Sequence, residues 1–172
     1  MKNAVRFGLL LAAAAALLLS QQQGQQEGAA AAPTGPAQPV PYSHKFHISM
    51  GLKCAECHTN PPPGESMGIP SVAKCMTCHM SVAKDKPTIQ KIAAAAKEKK
   101  ELPWVRVYQI PSYVAFSHKA HMDAGATCQR CHGDVAKRDV LFKEGDISMG
   151  GCMSCHREYK ASNDCGFCHE AR

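Results

Sequence analysis

All ten cysteines of this 172-residue chain fall in one five-residue pattern: CAECH at 54–58, CMTCH at 75–79, CQRCH at 128–132, CMSCH at 152–156 and CGFCH at 165–169. Thiols three residues apart serve disulfides, structural zinc or thioether attachment of haem, for which Cys-x-x-Cys-His is the attachment signature. Histidine separates the three. It occupies only 9 positions, yet it follows every one of the five pairs. A zinc ribbon draws on two pairs per metal and asks for no His at that place. Disulfides within a pair would leave the histidines without a role. Haem attachment uses all three residues, because the two thiols add across the vinyl groups on one edge of a porphyrin and the next residue then lies under the iron. The expectation is five haem c, held through Cys54 and Cys57, Cys75 and Cys78, Cys128 and Cys131, Cys152 and Cys155, and Cys165 and Cys168. Their proximal ligands are then His58, His79, His132, His156 and His169.

The other four histidines, His44, His47, His118 and His121, occur as two His-Lys-x-His pairs, each seven residues ahead of a haem cysteine. Residues i and i+3 on a helical turn point about 60° apart, so one pair can serve the irons of two neighbouring haems. They are the expected distal ligands. Four distal histidines leave one of five irons short. Methionine is the natural substitute and raises the potential relative to bis-His ligation. Met149 is the leading candidate and Met67 the next, each within a Ser-Met-Gly element; Met50, Met76, Met80, Met122 and Met153 stay open, as does an iron with no distal ligand.

The elements that must position these groups are organised as a repeat. HKFHISMGLKCAECH at 44–58 matches HKAHMDAGATCQRCH at 118–132 without a gap, at an offset of 74. Ser-Met-Gly recurs at 66–68 and 148–150, and CMTCH at 75–79 returns as CMSCH at 152–156. Self-similarity of this kind means two copies of one unit, each with two haems. The expected fold is mostly irregular chain with short α-helices, built from two di-haem repeats plus a C-terminal fifth haem. The predicted modules are 42–86 and 104–172, the second carrying the fifth site. Between them, 87–103 reads as a connecting helix: Pro87 suits a first turn, the Ala/Lys/Glu body favours helix, and Pro103 stops it. Its stripe of Ile89, Ile92 and Ala96 is expected to lean on the haems.

Residues 1–20 read as a secretory signal, with Lys2 and Arg6 ahead of a short apolar run that ends in small Ser20. The run is short of the roughly 20 residues that cross a bilayer, so no direct membrane span is expected. Covalent haem is attached outside the cytoplasm, which predicts an exported, periplasmic protein. Residues 21–41, QQQGQQEGAAAAPTGPAQPVP, read as a disordered linker. Five Phe, four Tyr and one Trp are too few for an ordinary core, so the porphyrins are expected to supply the interior. The formal charge of +6 falls to about +4 without Lys2 and Arg6, and the propionates of five ferric haems take it to about −1. The basicity thus counterbalances propionates and gives no argument for nucleic acid.

A His-x-x-His pair followed by closely spaced Cys-x-x-Cys-His motifs resembles the cytochrome c7/c3 group of multihaem cytochromes. PSYVAFSHKAHMDAGATCQRCHGDV followed by ISMGGCMSCHREYKASNDCGFCHE resembles, more closely, the pentahaem subunit of alternative complex III and its soluble relatives. The resemblance covers roughly 42–172 and is stronger in the second half. It implies low-potential periplasmic electron transfer along mostly bis-His haems, by a carrier rather than an enzyme, with redox proteins as donor and acceptor. It also implies a place between a quinol-oxidising membrane module and a downstream acceptor. The missing membrane span departs from that pattern and leaves a free-standing shuttle open. Two other classes are weighed against it. A reductase of nitrite or a similar small molecule needs an open iron among acid/base groups, and an extracellular cytochrome filament would share ligands between subunits.

Overall fold

The computed structural model describes residues 34–169; the expected signal at 1–20, the linker as far as 33, and 170–172 lie outside the described residues. Within them the chain is irregular with short helices and no strand. In order come α1 (His44–Ser49), α2 (Cys54–Cys57), α3 (Val72–His79), α4 (Pro87–Lys97), α5 (His118–Asp123), α6 (Cys128–His132), a 3-10 turn at Val135–Lys137, α7 (Met149–Glu158) and α8 (Cys165–His169). Serine starts four of them. The hydroxyls of Ser43, Ser71, Ser117 and Ser148 accept from the N–H of Phe46, Lys74, Ala120 and Gly151. Each cap satisfies an amide that the helix itself cannot, which is worth about 1 kcal/mol. Helices this short gain little from their own hydrogen bonds and depend on what they pack against.

The connecting helix is shorter than the sequence predicts. It begins at Pro87 but ends at Lys97, where Lys99 turns left-handed (φ 54°) and two closing bonds form, Lys99 N–H to Ala96 O and Lys100 N–H to Ala95 O. That is the double-bonded C-terminal turn usually made by glycine. It sends the chain back so that Leu102 reaches the helix's own apolar face. Ile89 and Ile92 pack there with Val40, Val72 and Leu102 in a small cluster. The stripe therefore packs on protein, with Cys75 of the second motif against the same cluster.

Val40 also revises the linker. Residues 34–41 are packed against the body: Val40 is 3% exposed, the Gln38 amide donates to Val105 O (2.8 Å) and accepts from Val105 N–H (3.0 Å), and Lys91 Nζ donates to Pro39 O. One valine between prolines barely registers in composition, yet it completes a core with only five buried members among the described residues.

The repeated halves grip each other reciprocally. Lys45 N–H donates to Arg138 O and Lys119 N–H to Gly64 O, both at 3.0 Å. Shifting both ends of the first bond by the repeat offset, one forward and one back, produces the second. Each His-Lys-x-His helix thus docks on the segment that follows the other half's first Cys motif. This is the self-complementary pattern of a two-fold interface, here within one chain. Gly64 permits it, since its φ is +95° and a Cβ there would stand 2.6 Å from Lys119 Cβ.

Candidate functional site

The histidine rings are oriented by backbone carbonyls. Nδ1 of His47 and of His121 lies 2.8 Å from the carbonyl oxygen of Ser43 and Ser117, the residues that cap their helices. His58 meets Gly68 O, His118 meets Glu65 O, His79 meets Val82 O and His156 meets Ser162 O, at 2.6 to 3.0 Å. A carbonyl can only accept, so Nδ1 carries the proton and Nε2 keeps its lone pair. This is how proteins hold an imidazole ready for a metal. His44 differs, its Nδ1 being buried without a partner. Burial, then His58 and His47, push its pKa down to about 4. Burial, then His118 and His58, likewise lower His132. Both rings are therefore neutral at pH 7.

The rings meet in pairs. His44 faces His58 with centroids 6.3 Å apart, His47 faces His79 at 6.3 Å, His118 faces His132 at 6.4 Å, and His121 faces His156 at 6.0 Å. These gaps are too wide for stacking contact. Two metal–nitrogen bonds of about 2 Å each, plus the distance from each nitrogen to its ring centre, fill such a gap. Each pair joins one predicted distal and one predicted proximal histidine, and each helix α1 and α5 sends its two histidines to two different partners. The planes within a pair differ: 9° for His44/His58, 8° for His118/His132, 37° for His121/His156 and 71° for His47/His79. At this spacing a flat metal-bearing cofactor would fit between the rings of each pair, held by one imidazole nitrogen from each side.

The thiols of the Cys-x-x-Cys pairs sit in a connected series. All ten are free. Cys57 is close enough to raise the Cys75 thiol, after burial; Cys54 does the same to Cys128 by charge and hydrogen bond; Cys131 is raised by burial and then Cys155, and Cys152 by burial, Cys131 and Cys168. Hydrogen bonds tie the third motif to the fourth, and the segment ahead of α5 to the fifth. Arg130, inside the third motif, pairs with Glu158 just past the fourth, and Ala115 N–H donates to Cys168 O in the fifth (2.7 Å). Among the described residues no group of three or more His, Cys, Asp or Glu converges as a zinc site would.

These groups line a broad open cavity of about 2050 Å³, which touches every histidine except His79. An ordinary small-molecule pocket holds about 300–1,000 Å³, so the space suits several large flat cofactors. Met67 and Met122 are on its wall. Met149 is the first residue of α7, 68% exposed and outside that lining.

Three aromatic residues support these histidines and were missed in the sequence. Tyr42 stacks on His47 (4.4 Å) and meets His44 edge-on (4.8 Å); Phe116 does the same to His121 (4.7 Å) and His118 (4.8 Å). Tyr108 abuts His132, and its hydroxyl accepts from the N–H of Glu144 and Gly145. The signal for the first two was present: the repeat extends upstream as YSH and FSH. Burial, then Cys57 and Cys75, push the Tyr42 hydroxyl up to about 12, so it stays neutral beside the imidazoles.

Comparison with known proteins gives the same picture. Residues 46–133 match the cytochrome c3 family, and residues 114–170 match cytochrome c7 and related cytochrome c. The chain belongs to the c3/c7 group of multihaem cytochromes. Its relatives include the multihaem cytochrome c subunit of menaquinone reductase from Nitratidesulfovibrio vulgaris, 32% identical over 162 residues, covering 77% of each chain. The family carries c-type haem, whose iron takes and gives single electrons when the group is bound. In this cytochrome the Cys-x-x-Cys pairs would hold the porphyrin edge and the paired imidazoles the iron. None of its described helices is long and apolar enough to cross a membrane.

Proposed function

We propose that this cytochrome is an exported electron-transfer subunit carrying five c-type haems, working at the periplasmic face of the inner membrane with a quinone-linked module. The observation that carries the reading is the set of four facing histidine pairs at 6.0 to 6.4 Å. Such pairs leave those irons no open position for a small-molecule substrate, which favours electron transfer over reductase chemistry. The polypeptide fixes distances and tunes each centre through its ligands and surroundings.

The neighbouring thiols support one order of centres along the path. The motif at 75–79 lies at one end, followed by those at 54–58, 128–132, 152–156 and 165–169. Cys54 and Cys128, equivalent by the repeat, approach within hydrogen-bonding reach, which supports a path that passes from one half to the other between these two motifs. The two ends, at His79 and His169, are the natural contacts for donor and acceptor. The relative's name supports menaquinone as the distant acceptor. By that likeness electrons run towards the quinone, in the reverse sense to a quinol-oxidising chain.

The test uses the protein matured in a host that attaches haem c. A mass corresponding to five haems is expected, together with oxidation of the reduced protein by membranes containing the quinone-reducing module and menaquinone. Fewer haems, or no electron exchange with such membranes, would overturn the proposal.

A further inference from the structure

The two ends of the path differ in charge. Residues 74–101, which carry the second motif and α4, hold seven lysines against Asp85, Glu98 and Glu101, a net +4. At the other end, residues 157–169 hold Arg157 and Lys160 against Glu158 and Asp164 and balance. All seven lysines are exposed. Lys100 pairs with Glu98, Lys91 donates to Pro39 O, and Glu101 is engaged by the Val72 N–H (2.7 Å). Lys74, Lys84, Lys86, Lys97 and Lys99 have no acidic partner among the described residues. Unneutralised charge of one sign on one end of a molecule steers an oppositely charged partner to that end.

The loop 80–86 between α3 and α4 brings this charge to the second motif. The N–H groups of Ser81 and Val82 donate to Cys78 O (3.1 and 3.0 Å), and Val82 O accepts from His79 Nδ1 at 3.0 Å. His79 is also the one histidine outside the cavity lining, which puts it at the edge of that space. Met80 and Val82 are 70% and 57% exposed, and Lys84 and Lys86 follow them in the same loop. A small apolar tip beside free cations suits a transient contact, in which the apolar side chains exclude water and the rim charges set the encounter rate. A permanent subunit interface is larger and more apolar, and it would bury lysines without partners. A lipid surface is entered by the apolar face of an amphipathic helix, whereas Ile89 and Ile92 of α4 are buried in the protein core.

Resting on the reading of this chain as an electron-transfer subunit with ends at His79 and His169, we propose that the 80–86 loop and its surrounding lysines dock the electron donor, a soluble redox protein that presents carboxylates around its own exposed centre. The net +4 draws in the acidic face, and Met80 and Val82 seat against it. One electron then leaves the donor's reduced centre, which is oxidised, for the oxidised centre at 75–79, which is reduced; no bond or proton moves. The neutral end at 165–169 is left for the quinone-linked module.

The experiment mixes the holo protein with reduced flavodoxin, an acidic one-electron carrier, by stopped flow at ionic strengths from about 0.01 to 0.3 M. It compares wild type, Lys84→Glu/Lys86→Glu, and Lys143→Glu/Lys160→Glu, which reverses the same charge in the second half of the chain. Wild-type reduction should slow steeply with salt. Lys84→Glu/Lys86→Glu should react about tenfold or more slowly at low salt and lose most of the salt dependence, while the second-half variant stays within about threefold of wild type. A neutral flavin semiquinone should reduce all three equally, which shows that the centres are intact. A wild-type rate indifferent to salt, or a Lys84→Glu/Lys86→Glu rate equal to wild type, overturns the proposal. An equal flavodoxin rate with lost binding to phosphatidylglycerol vesicles would give the surface to the membrane instead, and an equal rate with one centre's potential shifted would make the lysines counter-ions of propionates. A low haem mass, or no exchange with menaquinone-containing membranes, removes the reading on which the proposal rests and is seen independently of the flavodoxin rates.

Discussion

His47→Ala discriminates the proposed ligand pairing from its alternative. His47 and His44 lie three residues apart on α1, and the geometry sends His47 to His79 and His44 to His58. Removing the His47 imidazole should therefore strip the distal ligand from the haem attached at Cys75 and Cys78, not from the one at Cys54 and Cys57. The identity of the lost signal can be worked out from the ring planes. In low-spin ferric iron, parallel axial imidazoles split the two iron orbitals that overlap their π systems, while crossed imidazoles leave them nearly degenerate and the magnetic response highly anisotropic. Only His47/His79 is strongly crossed, at 71°; His44/His58 and His118/His132 are parallel within 9°. Wild type should thus show one highly anisotropic component among four bis-His centres. His47→Ala should convert that component, about a quarter of the bis-His intensity, to high spin and spare the rhombic ones. His44→Ala should do the reverse. Paramagnetic resonance with spin quantitation reads both. If His47→Ala removes a rhombic signal while the anisotropic one survives, the pairing deduced here is wrong.

Ile92→Ala should cost about 2–3 kcal/mol, the lower part of the range for such truncations because partly exposed Ala95 and Trp104 can settle inwards; denaturant unfolding followed by circular dichroism measures it, and an unchanged midpoint would contradict a protein core at this helix. Gly64→Ala should destabilise by about 1–3 kcal/mol through its left-handed φ and the Lys119 contact, seen as a lower Tm with an unaltered haem count; a wild-type Tm would mean that the reciprocal grip is unimportant. Arg138 donates two bonds to Glu144 (2.6 and 2.9 Å), and these, above all else, hold the Glu144 carboxyl below the usual carboxylate range. A depressed folded pKa contributes stability above the unfolded value and loses it as pH falls through the folded one. Glu144→Gln should therefore lower stability near neutrality and flatten the acid limb of a Tm-versus-pH curve, and parallel curves would refute the role of the pair.

Chemistry in this chain is local and was legible in the sequence; pairing is not local and was not. Cys-x-x-Cys-His places two thiols and an imidazole on one edge and one face of a porphyrin without help from distant residues, so the motifs announce their cofactor. The His-x-x-His spacing likewise lets each helix present its two imidazoles to two different partners, and the repeat announces two halves. Which ring faces which depends on the crossing of Lys45 onto Arg138 and Lys119 onto Gly64, bonds that span 93 and 55 residues of chain and leave no mark in either segment. The same holds for Val40, whose neighbours promised only a tether. Residue types determine what a site can bind when the ligands are adjacent in sequence. Only tertiary structure decides which centres become neighbours, because that depends on long-range docking of backbone groups every residue possesses.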